Sequence, residues 1–365
     1  MEKKRGIGLP VRIVMLILNG CFIALLLLSY LCQLLNPHTF PKLSIFSILY
    51  PYTLIINILF IIYWAITKNK HAFWSIIAIV IGWSNVGKFV QLKATPLPEN
   101  TQSTKIMSYN VHVMGVDNHS IHQKDSIISF LAEEQPDIIC LQEFYDRKEK
   151  NMQQIIGHAD IKYFYKSTCV TEGNDTYGLI TFSRYPIIDH GDIHFDNSVG
   201  NHASYIDINA GDDTLRIYNI HLQSMHFANT DYSFARQATK PSGMTSDEFK
   251  QGSKALARKV VSASVKRSEQ VSVLLQHILS SPYKTILCGD FNDTPWSYAY
   301  RQLRGKGKDA FVESGKGFGN TMTINKLFSF RIDYILLHPD LCAYEYLTSR
   351  TGYSDHECIM TNITW

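Results

Sequence analysis

Ile13 to Leu35 is an uncharged, leucine-rich stretch of 23 residues, and Leu43 to Thr67 is a second of 25. A bilayer core is crossed by about 20 apolar residues in helical form, so either stretch is long enough to span. A third, Ala72 to Gly87, is uncharged but only 16 long and contains Ser84 and Asn85, which makes it the weakest of the three. Three transmembrane helices, at about residues 13–35, 43–67 and 72–87, are the expectation for a membrane anchor over residues 1–94. A cleaved signal peptide is not expected, because the first run is long and another follows it directly.

Charge divides the chain at the same point. Residues 1–94 hold nine Lys/Arg and one acid, a net +8, whereas the remainder holds 26 Lys/Arg and 31 Asp/Glu, a net −5. Lys3, Lys4, Arg5 and Arg12 flank the first span and Lys68 and Lys70 lie between the second and third, while the link between the first two has only Lys42. The positive-inside rule puts the amino terminus and the 68–71 loop in the cytoplasm. With three spans in a cytoplasmic-type membrane, everything beyond the anchor lies outside the cytoplasm; with two, it lies inside. Residues 95–104, with Pro96 and Pro98, read as a linker. The seven cysteines show no C-x-x-C pairing, and Cys140 and Cys288 sit in apolar runs, which suits small core residues better than disulfides or a zinc site.

From residue 105 to 365 the pattern changes to short apolar strands, each ending in a polar residue. Lys105 to Val111 exports Asn110, Asp137 to Glu143 exports Glu143, and Leu215 to His221 exports His221. Ile286 to Cys288 runs into Gly289-Asp290-Phe291-Asn292, stopped by Pro295. Side chains at i and i+2 of extended chain share a face, so Asp290 and Asn292 can act on one small target. Asp333 lies among apolar neighbours and calls for a partner. Ser354-Asp355-His356, just before the last strand, supplies an imidazole. Alone, each is ordinary: acids at strand ends are usually solvated, and a single His is more often structural. Together, strands with intervening helices and one exported residue apiece describe a layered α/β hydrolase with its site on a sheet rim. Oxygen and amide ligands favour a hard cation, Mg²⁺ or Mn²⁺.

The segments Ser108-Tyr109-Asn110-Val111, Leu141-Gln142-Glu143, Ser183-Arg184-Tyr185-Pro186, Asn219-Ile220-His221-Leu222, Gly289-Asp290-Phe291-Asn292, Arg331-Ile332-Asp333-Tyr334 and Ser354-Asp355-His356 resemble, in order, those of the endonuclease/exonuclease/phosphatase superfamily. The resemblance implies a DNase-I-like four-layered α/β sandwich over residues 105–365. It implies Glu143 as principal metal ligand, with Asn110 and Asp355 completing the sphere. Asp290 would deprotonate water and Asn292 hold a phosphate oxygen. His221 and His356 would bind the scissile phosphate, with Asp333 fixing the His356 ring. Tyr177 and Arg184 are candidate substrate contacts, with Asp175 beside Tyr177 as a counterpart of the acid that supports the first His in the family's nucleases.

A metal-dependent phosphodiesterase anchored in a lipid bilayer is therefore expected, nuclease-like first. A phospholipid or sphingomyelin-type phosphodiesterase and a phosphomonoesterase are the alternatives, and an inactive tethered binding module is a reading of another class. No protein partner is expected. Tyr232 to Ser268 holds eight basic residues and two acids, a local +6 that is either a solvated helix face or a patch for phosphate-bearing partners.

Overall fold

The computed structural model describes residues 8–118, 121–159, 161–196, 198, 200–227, 229–237, 244–324 and 328–365. Lys3, Lys4 and Arg5, used in the sequence reading, lie outside them, as does Lys240 of the basic segment. The chain opens with α1 (Leu9–Cys32), a 3₁₀ turn at Pro41–Ser44 and α2 (Ile45–Ile66). The first helix and the unit Pro41–Ile66 are each long and apolar enough to cross a membrane. The third expected span, residues 72–87, is helical but not one straight helix. It is two helices, α3 (Ala72–Ile81) and α4 (Trp83–Phe89), bent by 76°. The break falls at Gly82, where a Cβ would come within 2.0 Å of the Tyr30 ring. Tyr30 in turn donates to the Ala78 carbonyl at 3.2 Å.

The bundle buries a polar cluster beside Leu26, Leu54 and Ala78 and turns many apolar side chains outward. Ile17, Leu59, Ile66 and Trp83 are exposed, while Asn19, Asn57 and Ser75 are buried. Asn19 Nδ2 donates to Ser75 Oγ (2.7 Å), which donates to Asn57 Oδ1 (2.9 Å), and Trp64 Nε1 donates to Asn19 Oδ1 (2.9 Å). Asn57 Nδ2 also donates to the Phe22 and Thr53 carbonyls, at 3.0 and 2.9 Å, and small residues such as Ser75 let helices approach closely.

Among the described residues fourteen strands follow: β1 (Thr104–Asn110), β2 (Ile138–Arg147), β3 (Tyr163–Glu172), β4 (Asp175–Ser183), β5 (Ile187–His194), β6 (His202–Asn209), β7 (Thr214–His221), β8 (Lys284–Asp290), β9 (Lys308–Asp309), β10 (Met322–Thr323), β11 (Ser329–Phe330), β12 (Asp333–Leu337), β13 (Cys342–Ser349) and β14 (Cys358–Thr364). Two six-stranded sheets, ordered β13-β14-β1-β2-β4-β3 and β5-β6-β7-β8-β12-β9, pack face to face, and β10 and β11 form a small pair. The helices are α5 (Ile121–Glu134), α6 (Lys150–Ala159), α7 (Asn229–Gln237), α8 (Ser246–Leu279), α9 (Tyr298–Arg304) and α10 (Ala310–Ser314).

Alternation along the strands builds the layers. Ile106, Ile138, Cys140, Ile286, Cys288 and Ile335 fill the space between the sheets. Met107, Tyr109 and Leu141 face α5 and α6 instead. Tyr218, Ile220, Leu287 and Tyr334 face α8 and α9. Helix, sheet, sheet, helix is the four-layered DNase-I-like sandwich expected.

Among the described residues two strand pairs are parallel, β1 with β2 and β7 with β8. Parallel neighbours need a crossover, and α5 and α7–α8 supply these. Parallel pairing also brings carboxyl ends together, so Asn110 and Glu143, and His221 and Asp290, leave their sheets at a shared rim. Gly289 makes the second pairing fit: at φ +144, a Cβ there would lie 1.9 Å from the Ile220 carbonyl oxygen. Gly289→Ala is expected to cost on the order of 3 kcal/mol of unfolding free energy, measured by chemical denaturation of the full chain in micelles. A loss below about 1 kcal/mol would contradict the close approach.

Candidate active site

Glu143 sits where β2 slips register against β4, between Leu141 and Phe144, and its backbone adopts φ +52. A bulge re-aims a side chain at the expense of local strain. Here it turns the carboxylate toward Asn110, whose Nδ2 donates to Glu143 Oε1 at 3.0 Å and to Asp290 Oδ2 at 3.1 Å. One amide thus ties the two sheets together across the site. Asp290 is 1 % exposed. Its Oδ1 accepts from the backbone N–H of Asn292 at 2.7 Å, and Asn292 Nδ2 donates to Asp290 Oδ2 (3.1 Å) and to the Leu222 carbonyl (3.0 Å). Asn292, itself at φ +52, therefore orients the carboxylate.

The two histidines sit on either side of Asp290. His356 Nδ1 is 2.9 Å from Asp333 Oδ2, and its Nε2 is 3.7 Å from Asp290 Oδ2. His221 Nε2 is 3.6 Å from Glu143 Oε1 and 3.9 Å from Asp290 Oδ2, with no hydrogen-bond partner of its own. Their protonation differs, though the sequence treats them alike. Burial opposes the charge on each ring. At His356 the carboxylates of Asp333 and Asp290 outweigh burial and hold the pKa well above the usual histidine range. At His221 burial wins over Glu143 and the pKa falls. The surroundings thus favour the charged ring at His356 and the neutral ring at His221. Burial and the charge of Asp333 push the Asp290 carboxyl up to about 7, against His356, the Asn292 N–H and Asn110. Burial likewise opposes the charge on Glu143, but His221, Asn110 and His356 outweigh it and lower the pKa. A carboxylate held low beside one raised to about 7 suits a division of labour between a ligand and a base.

Asp355 is half exposed, with Oδ1 at 3.3 Å from His112 Nδ1, which also lies 3.9 Å from Glu143 Oε2. Ser354 Oγ donates to the Asn110 carbonyl at 2.8 Å and so fastens the Asp355 loop to β1. His112 was not singled out in the sequence. Its only signal was its place two residues beyond Asn110. Glu143 and Asp355 both lie beside His112 Nδ1 and are carboxylates of the kind that hold a hard divalent cation, while the Asn110 amide gives its Nδ2 to Glu143 and its Oδ1 accepts from the His112 N–H at 3.1 Å. Asp290, Asp333 and His356 also bring three ligand atoms within 4.8 Å of one another. The hydrogen bond between His356 and Asp333 also suits that group to holding charge.

Arg184 is corrected. It pairs with Asp137 at 3.6 Å, beside the start of β2, about 20 Å along the strand from Glu143 at the usual rise per residue. Tyr177 is opposite Tyr145, two residues beyond Glu143, and lies 3.7 Å from the Cβ position of Gly200. That places it at the correct end of the sheet. Asp175 accepts from the Tyr145 hydroxyl, and the ring of His221 is instead engaged by the Gly200 backbone. Of the basic segment, Arg267 is buried against Asp293 (2.9 Å) and Lys259 pairs with Asp231, whereas Lys250, Lys254 and Arg258 are exposed at i, i+4 and i+8 of α8.

Residues 107–356 match the sequence profile of the Endonuclease/Exonuclease/phosphatase family. The chain belongs to that family. Residues 12–89 match a second profile, a domain of unknown function, and no curated protein matches the chain by sequence. Among solved structures, an endonuclease/exonuclease/phosphatase family protein from Leptotrichia buccalis is similar, at TM-score 0.50 and 20 % identity over 72 % of this chain and all of that one. The human Nocturnin catalytic domain follows at TM-score 0.51 and 16 % identity, over 72 % of this chain and 93 % of that one. D. rerio TDP2, complexed with a single-strand DNA product, has TM-score 0.51 and 18 % identity, over 73 % of this chain and 100 % of that one. These likenesses show the fold. Membership of the endonuclease/exonuclease/phosphatase family makes the chain a phosphate-ester hydrolase, of a family that uses divalent metals.

Proposed function

We propose that the chain is a Mg²⁺- or Mn²⁺-dependent phosphodiesterase whose amino-terminal bundle sits in a membrane. The observation that carries this is the buried Asp290 carboxyl, raised to about 7 and framed by Asn110, Asn292 and the two histidines. A carboxylate poised there takes a proton from water at neutral pH. His356, kept charged by Asp333, stands on one side to balance the negative charge gathering on phosphorus. His221 offers an unpaired Nε2 on the other. Glu143, Asp355 and Asn110 would hold the cation, which neutralises phosphate charge and lowers the pKa of its water.

The chemistry is that of nuclease-like phosphodiester hydrolysis. A second reading, a phospholipid headgroup as substrate, is favoured by one observation: the loop after Asn292 lies against the bundle, Thr294 Oγ1 donating to the Ser47 carbonyl at 3.2 Å. A site mounted there faces phosphates at a bilayer surface. Side is supported by the ends of the bundle. Arg12 bonds His71 at one end (3.2 Å), close in sequence to Lys68 and Lys70, whereas Cys32, Ser47 and Asn85 meet the catalytic domain at the other. Positive-inside then puts catalysis outside the cytoplasm.

The test is a panel on the full chain in lipid nanodiscs, with Mg²⁺ or Mn²⁺: bis(p-nitrophenyl) phosphate, single- and double-stranded DNA, RNA, sphingomyelin, phosphoinositides and p-nitrophenyl phosphate. Hydrolysis of diesters above the monoester is expected, and hydrolysis of the monoester alone would overturn the reading. An alkaline phosphatase fused at the carboxy terminus should be active, and one fused at residue 69 silent.

A further inference from the structure

Beyond Asn292 the base-bearing loop runs directly onto the helical bundle. Asp293, Thr294 and Pro295 are all that separates Asn292 from Trp296, and all are buried. Arg267 Nε holds Asp293 at 2.9 Å. The Trp296 indole stacks on the ring of Tyr50, with centroids 4.3 Å apart and planes 25° from parallel. Its Nε1 donates to the Asn85 carbonyl at 3.3 Å, and its own carbonyl accepts from Cys32 Sγ at 3.3 Å. The Asp333 segment is mounted similarly: two residues before it, Arg331 donates to the Lys88 carbonyl at 3.4 Å and to Asp309 at 2.8 Å. Asp290, Asn292 and Asp333 therefore sit on short, buried leads fastened to α1, α2 and α4.

We infer that the amino-terminal bundle is part of the catalytic apparatus, with Tyr50 acting through Trp296 as a positioning residue for the Asp290–Asn292 loop. The inference rests on the phosphodiesterase reading for its kinetic consequence. Its physical basis is the left-handed conformation of Asn292, φ +52, which persists only where the surroundings over-determine it. The same residue gives Asp290 two donors, its N–H to Oδ1 and its Nδ2 to Oδ2. With the ring face under Trp296 removed, the lead to Asn292 is free to relax and the carboxylate loses its orienting donor. The Tyr50 hydroxyl is buried without a partner, so the ring alone does the positioning.

The experiment uses the full chain in nanodiscs with bis(p-nitrophenyl) phosphate, comparing Tyr50→Ala, Tyr50→Leu and Tyr50→Phe. It reads kcat, KM and the hydrogen exchange of a peptide covering residues 290–296. Tyr50→Ala and Tyr50→Leu should lose kcat by about tenfold to a hundredfold with KM held within about twofold, since misplacement of a reacting group costs that order. Exchange in the 290–296 peptide should quicken in both. Tyr50→Phe should match the parent in all three. Parental kcat and exchange in Tyr50→Leu would overturn the inference, as would a fall in Tyr50→Phe equal to that in Tyr50→Ala. If the parent chain cleaves no phosphodiester, the proposed function fails, while the exchange of the loop still decides the positioning role.

Discussion

Asp290→Asn is expected to lower kcat by about 10³-fold, the order that a general base contributes. The substitution keeps the side chain's size at a fully enclosed position and removes only the proton acceptor. Its amide nitrogen would also face the Nδ2 groups of Asn110 and Asn292, which now donate to Oδ2, so the remaining geometry loosens as well. The pH profile makes the test sharper. Because burial and Asp333 raise the Asp290 pKa to about 7, the active carboxylate accumulates as pH rises through that value, and kcat/KM of the parent should climb over the same range. Bound metal, being a nearby positive charge, should move that limb to lower pH. In Asp290→Asn the limb should vanish. Linkage has the opposite sign for stability: the unfolded chain releases this proton first, near 3.8, so ionising Asp290 weakens the fold as pH rises from there toward 7. A parental profile in the variant would remove Asp290 from the role of base.

Glu143→Gln should have an effect of similar size. Its carboxylate is the one whose charge the site protects, held low by His221, Asn110 and His356 against burial, and a carboxamide of the same shape cannot supply that charge. Activity at saturating Mg²⁺ should fall by about 10³-fold, and half-maximal metal should rise at least tenfold, as expected when a ligand is lost. Chelation of the parent chain should give the same loss, reversed by Mg²⁺ or Mn²⁺. Mn²⁺ binding followed by electron paramagnetic resonance checks the site apart from turnover. Binding unchanged in Glu143→Gln would place the cation elsewhere, and the cluster of Asp290, Asp333 and His356 would be the next candidate.

Much of this centre was readable because each residue stands at a strand end. Asn110, Glu143, His221 and Asp290 follow apolar runs, and the helices between them require parallel neighbours whose ends meet. Asp333 needed a partner on burial grounds, and the partner is His356. Arg184 failed for a directional reason. The Ser183-Arg184-Tyr185-Pro186 turn follows the end of β4, which runs antiparallel to β2, so its residues emerge at the rim opposite Glu143. His112 was missed because nothing local distinguishes it from other loop histidines. The third apolar run was long enough to read as one helix. Its break depends on Tyr30, 52 positions away, whose ring occupies the space at Gly82.

Residue order and periodicity alone determined the two kinds of chain here, an apolar helical bundle followed by short alternating strands, together with the chemistry exported at their ends. These are local properties, set by a few neighbouring side chains and a fixed backbone repeat. Tertiary structure decided what depends on surroundings. It separated His356 from His221, since desolvation and carboxylate neighbours act through space. It buried Arg267 and tied Lys259, turning part of an apparent basic patch into scaffold. It also set Trp296 on Tyr50, joining the membrane-type bundle to the loop that carries Asp290.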